Sequence, residues 1–143
     1  MAPNADFLWS AQTQKETFRL SNMTPQLHAF NAGIWSRLEE LTRVWSTERG
    51  EVFVASGPLY EGTLIQTIGA NNVNVPTHFY KIIFDPEAQE ALAFILPHAQ
   101  ISSNALDFFR KSVREVEQRS GLNFLSALFQ EIQDAIDTKS PAI

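Results

Sequence analysis

A run of 22 residues, positions 22–43, constrains this chain more than any other segment. It reads NMTPQLHAFNAGIWSRLEELTR. Thr24-Pro25-Gln26 breaks the chain, since Pro presets a turn and disfavours helix in the residue before it. Beyond that break the spacing predicts one long helix over about residues 29–48. Phe30, Ile34, Leu38, Leu41 and Trp45 fall at i, i+4, i+8, i+11 and i+15, a stripe that needs a core to face. Asn31, Trp35, Glu39 and Arg43 recur every four residues beside it, each step overshooting a turn by about 40°. An amide, a carboxylate and a guanidinium therefore share a strip able to line a cleft. Gly50 is placed to end the helix. Gly33, which costs about 1 kcal/mol relative to Ala inside a helix, marks a close backbone approach.

The chemistry of that strip is specific. Asn31, one turn inside the helix, offers a neutral hard oxygen, a ligand Mg²⁺ accepts while keeping most of its waters. Glu39, two turns on, could hold one of those waters by hydrogen bonds. The planar fork of Arg43 suits two non-bridging phosphate oxygens. Asn22, in the turn ahead of the helix, could position a neighbouring catalytic group. Taken singly, each of the four also reads as a solvated helix residue or a turn former.

The remainder supplies a frame for such a cleft. A length of 143 residues fits a single domain, and 44% hydrophobic content with 11 Phe is ample for one core. Residues 9–17 read as mildly helical and Phe18-Arg19-Leu20 as a short strand. Residues 52–55, apolar on both faces, read as a central strand that stops at Ser56-Gly57-Pro58. Residues 78–84 and 91–96 read as a hairpin, and 62–76 as a long loop or irregular strand. Ser112-Val113-Arg114-Glu115 is a capping box for a helix closed by Gly121. Asn123 is placed to cap a second helix, with Leu125, Leu128, Phe129, Ile132 and Ile136 as its buried stripe. Helices on a mostly antiparallel sheet define an α+β class.

Several function classes are disfavoured. No apolar run approaches the roughly 20 residues needed to span a bilayer, so no membrane partner is expected, and no charged-then-apolar leader opens the chain. The absence of Cys excludes disulfides and thiolate metal sites. A net charge of −5 counts against a module that holds nucleic acid by phosphate neutralisation alone. It counts less against an enzyme that brings its own cation.

The residues of the first run carry a resemblance. Asn22-Met23-Thr24-Pro25-Gln26, Phe30-Asn31-Ala32-Gly33-Ile34-Trp35 and Leu38-Glu39 resemble the DNA/RNA non-specific endonucleases of the ββα-metal (His-Me finger) group. The likeness continues through Val54-Ala55-Ser56-Gly57-Pro58, Val75-Pro76-Thr77-His78-Phe79-Tyr80-Lys81 and Ala93-Phe94-Ile95-Leu96-Pro97. It ends in Ser112 to Glu117 and Gly121-Leu122-Asn123-Phe124. The resemblance implies a ββα-metal nuclease fold and a Mg²⁺-dependent phosphodiesterase, with Mn²⁺ as an alternative ion, acting on DNA and RNA. Asn31 matches the direct metal ligand and Glu39 the carboxylate that orients metal-bound water. Asn22 matches the amide near the catalytic histidine, and Arg43 the arginine facing the phosphate. The resemblance also suggests a secreted or periplasmic bacterial protein, and leaves a homodimer and a protein inhibitor or partner open.

One part of the pattern departs. In that family the general base is the His of an Asp-Arg-Gly-His motif, followed by a hydrophobic residue and Ala-Pro. Here Met1-Ala2-Pro3-Asn4-Ala5-Asp6-Phe7 resembles the sequence immediately after that motif. The expectation is a single nuclease domain over residues 1–143 that begins just beyond its own base and lacks N-terminal strands, with hydrolysis impaired. His28, His78 and His98 are poor replacements, His78 reading as structural. The alternative is a non-catalytic descendant that binds nucleic acid or a protein.

Overall fold

The long helix forms as a composite with a deliberate irregularity at the residues of interest. The computed structural model describes residues 1–138. It opens helix α2 at His28–Phe30 and passes through a π-helical turn at Asn31–Trp35 into α3, Ser36–Arg49. The Ser36 N–H reaches back five residues to the Asn31 carbonyl. Gly33 sits inside this turn with non-helical dihedrals, φ −98° and ψ −110°. The close approach expected there is absent: a Cβ on Gly33 would meet only the Ile101 carbonyl, at 3.9 Å. The glycine serves the wide turn instead, a feature common at functional sites. Gly50 ends the helix with φ +86°, in the region open to glycine.

Phe30, Ile34, Leu38 and Trp45 are buried as the periodicity requires, with Leu41 packed against them. They meet one face of a four-stranded antiparallel sheet in the order β1-β4-β5-β6. Its strands are β1 Phe53–Leu59, β4 His78–Asp85, β5 Glu90–Pro97 and β6 Arg110–Lys111. Phe79 and Ile83 of β4, with Leu92, Phe94 and Leu96 of β5, pack on the long helix. Tyr80, Ile82, Ala91, Ala93 and Ile95 face the other way, toward α4 (Val113–Ser120) and α5 (Gln130–Thr138). Both faces of the hairpin are thus covered, which is why its strands read as near-continuous apolar runs.

Several local expectations change. The first strand does not stop at Ser56-Gly57-Pro58 but runs through it, and it lies at the sheet edge, not the centre. An edge tolerates Pro58, which lacks an N–H for a second ladder. Gly57 permits a close approach, since a Cβ there would lie 2.6 Å from the Tyr80 hydroxyl on the paired strand. Phe18-Arg19-Leu20 is not a strand. Successive bonds from Phe18 N to Lys15 O, Arg19 N to Glu16 O and Asn22 N to Arg19 O wind it into turns after α1, Ala11–Glu16. Residues 62–76 hold a small hairpin of β2 (Thr67–Ile68) and β3 (Val73–Asn74). The Ser112 hydroxyl caps α4 by accepting from Glu115 N at 3.1 Å, and Gly121 closes it. The last helix starts at Gln130, not at Asn123, because the Glu117 carboxylate holds Phe124 N at 2.8 Å in a turn. Phe129, expected inside, is exposed.

Candidate functional site

Asn22 does its work through the backbone of the N-terminal segment. Its Oδ1 accepts from Ala2 N at 2.6 Å, while its Nδ2 donates to Ala2 O at 2.9 Å and to Thr17 O at 2.8 Å. The amide saturates Ala2 as a neighbouring strand would. Ser56 on β1 takes the next residue: the Met1 nitrogen donates to Ser56 O at 3.2 Å and the Ser56 hydroxyl donates to Met1 O at 3.2 Å. Residues 1–3 are thereby laid across the gap between the long helix and the sheet edge.

Two connected hollows flank that segment. One, of about 440 Å³, is lined by Asn22, Gln26, Asn31, Trp35 and Glu39. The other, of about 550 Å³, is lined by Asp6, Asn22, Glu39, Ser56, Tyr80 and Lys81. Glu39 is a wall of both, so Asn22, Asn31 and Glu39, singled out in the sequence, open onto one region. Arg43 stands at its rim: its Nε lies 2.7 Å from Asp6 Oδ1, with 43% of its side chain exposed. Trp35, from the same polar row, is buried and turns its ring into the core, 5.7 Å from both Phe30 and Phe79.

The charges here are under tension. Burial pushes the Glu39 carboxyl above its ordinary range, a push opposed by the cations Lys81 and Arg43 and by the Trp35 side chain. Burial likewise lowers the Lys81 ammonium, with Glu39 and Asp6 opposing. Lys81 is the residue the sequence reading passed over. Its signal was there: one cation in the apolar strand Phe79-Tyr80-Lys81-Ile82-Ile83, at the position facing the helix.

The donors suit a hard cation. Asn31 is exposed to the hollow, and its side-chain amide has no hydrogen-bond partner among the described residues. Among the same residues no group of three or more His, Cys, Asp or Glu could cage a metal. One free amide oxygen and one carboxylate on the same hollow suit an ion that keeps most of its water and do not suit zinc.

None of the three histidines lines either hollow. His98 accepts from Leu27 N at 2.7 Å, bonds Pro76 O at 2.9 Å, and stacks edge-on against Phe30 and Phe79. His78 lies 3.0 Å from Glu61, whose carboxylate also takes a two-pronged contact from Arg119 at 2.6 and 2.7 Å. His28 is exposed at the start of α2. Two of the three are tied into the scaffold, and among the described residues no histidine faces the cleft. Among these residues no helix is long and apolar enough to cross a membrane.

Comparison with known proteins gives this arrangement a context. The profile of the family described as DNA/RNA non-specific endonuclease matches residues 1–131. The chain is 41% identical to "Nuclease EXOG, mitochondrial" of Danio rerio, over 90% of this chain and 42% of that protein. It is 32% identical to "Endonuclease G, mitochondrial" of Bos taurus, over 87% of this chain and 46% of that one. It thus spans less than half the length of these two relatives. A chain in the crystal structure of an EndoG/EndoGI complex superposes with a TM-score of 0.87 at 31% identity, covering 99% of this chain and 64% of that chain. The fold is therefore the ββα-metal nuclease fold, of mixed α+β class. The expectation of a secreted or periplasmic bacterial protein is overturned, because these relatives are mitochondrial nucleases.

Proposed function

We take as premise that the chain belongs to the DNA/RNA non-specific endonuclease family, and propose that it carries the metal side of a Mg²⁺-dependent nuclease site. The observation that supports this most is the shared opening of Asn31 and Glu39, with the Asn31 amide unspent. Asn31 would hold the ion through Oδ1. When bound, the ion supplies Lewis-acid stabilisation of charge developing on the phosphate. Glu39 holds and orients water in the cleft, and Arg43, released from Asp6, offers its fork to a phosphate at the rim. Asn22 fixes the backbone of residues 1–3 through its two bonds to Ala2. The resemblance gives the general base to the His of an Asp-Arg-Gly-His motif, a motif that these 143 residues do not contain. Contact with phosphates rather than base edges gives little sequence preference, so DNA and RNA both serve.

A mitochondrial location accords with the named relatives, and a protein inhibitor accords with the complex in which the EndoG chain was solved. The exposed outer edge of β1, with Phe53 and Val54 at the surface, is the natural place for further chain or a second copy to pair.

The test is plasmid cleavage by the full-length gene product. Cleavage with Mg²⁺ that stops on chelation, and a loss of about 10²–10⁴-fold in the 143-residue chain alone, is the expected result. Cleavage indifferent to chelation would remove the metal role, and equal rates for the two proteins would place the base inside this chain. A full-length protein that binds nucleic acid without cutting it would favour the non-catalytic descendant.

A further inference from the structure

Lys81 is 1% exposed at the middle of β4. Its strand neighbours are Ser56 on β1 and Phe94 on β5, and its Nζ lies 4.8 Å from the centre of the Trp35 ring. Among the described residues its ammonium has no hydrogen-bond or ion-pair partner. A buried ion is costly to desolvate, and the contact with the Trp35 face offsets only part of that cost. Met would fill the same volume without that cost, so packing does not account for a lysine here.

The ammonium opens instead on the hollow it shares with Glu39. The charged groups acting on Glu39 are Lys81 from β4, Arg43 from its own helix and Asp6 from the turn ahead of α1. Glu39 in turn acts on the nitrogen of Met1. Arg43 is already committed to Asp6. Asp6 also acts on Lys81 but is held by Arg43, which leaves Glu39 as the unpaired anion facing this ammonium.

We propose that Lys81 is a positioning residue for Glu39: without a direct ion pair, its buried ammonium biases across the shared hollow the direction in which the carboxylate faces. The role rests on the nuclease reading above, and Lys81 itself touches neither phosphate nor ion. It works from beneath, on the sheet, while Glu39 hangs from the helix above. A rigid floor of this kind holds an orienting group in place through turnover.

The test uses the full-length protein with Lys81→Met, alone and combined with Glu39→Gln. In the wild-type background kcat should fall about 10- to 100-fold with KM for DNA nearly unchanged. In the Glu39→Gln background the same substitution should cost almost nothing, because its target is gone. A second readout needs neither metal nor substrate: the ¹³C carboxyl resonance of Glu39, identified by its loss in Glu39→Gln, should move in Lys81→Met. If Lys81→Met does not melt cooperatively, Lys81→Gln takes its place with the same expectations. Losses that multiply across the two substitutions, or an unmoved resonance with unchanged kcat, would overturn the role. A wild-type protein that cuts no nucleic acid would sink the nuclease reading, while the resonance would still decide whether Lys81 governs Glu39.

Discussion

Two clusters of charge join α3 to β4. At the far end of the helix, Arg49 Nη1 lies 2.7 Å from Glu90 and 3.2 Å from Asp85. Asp85 Oδ1 also accepts from Glu87 N and Ala88 N, both at 2.9 Å, closing the turn of the hairpin. Every charge there is answered, and the Ala88 N–H, helped by Arg49, holds the Asp85 carboxyl below its ordinary range. In the cleft the opposite holds: burial pushes Glu39 up and Lys81 down, and the ammonium has no partner among the described residues. The saturated cluster spends its bonding capacity on the scaffold. The unsaturated one keeps donors and acceptors for something that arrives, a signature of functional sites.

That contrast can be broken first at Asn31. In the full-length protein, Asn31→Ala should lower kcat/KM roughly 10³-fold, about 4 kcal/mol of lost transition-state stabilisation. Unchanged Mg²⁺ dependence would remove Asn31 from the metal. Glu39→Gln comes next, with a loss of about 10- to 100-fold and a melting temperature equal to or above wild type, because a desolvated charge has gone. A variant that keeps full activity would make Glu39 a scaffold residue like Asp85. Arg43→Ala should cost about tenfold in kcat/KM through the lost phosphate contact and little stability, its pair with Asp6 being exposed. An unaltered kcat/KM would reduce it to a surface partner of Asp6.

Asp85→Ala should do the reverse: activity stays near wild type while stability falls by about 1–3 kcal/mol, as two backbone donors and Arg49 lose their acceptor. A drop in kcat without a drop in melting temperature would erase the distinction between the clusters. The smallest effect lies in pH. Asp85 is held below its ordinary value of 3.8, so its stabilisation is complete above that pH and lost as pH falls through the lower folded value. Glu39 is raised above 4.5, so the native state binds the extra proton and stability declines as pH rises through that window. Melting curves of Asp85→Ala and Glu39→Gln against pH should each lose one of these opposed slopes.

The long helix, its core stripe, the hairpin and the capping box at Ser112 were legible because each follows from spacing and local hydrogen bonding. The edge position of β1 was not. Val52 to Ala55 look apolar on both sides, and only the tertiary arrangement shows Phe53 and Val54 facing solvent. The turns at Phe18 to Asn22 were hidden for a similar reason, since they depend on carbonyls of the preceding helix. At the candidate site, Asn22, Asn31 and Glu39 were singled out by period and resemblance, but the clamp of Asn22 on Ala2 joins residues 20 apart in sequence. Lys81 was visible as a lone cation in an apolar strand. Its meaning waited on the register that sets it beneath Trp35.

The most direct measurement is the anomalous difference map of the full-length protein crystallised with Mn²⁺. The expected result is a single peak in the cleft within coordination distance of Asn31 Oδ1, with Glu39 facing its water shell and Lys81 behind that carboxylate. A peak elsewhere, or Asn31 turned away from an ion held by other residues, would contradict the assignment.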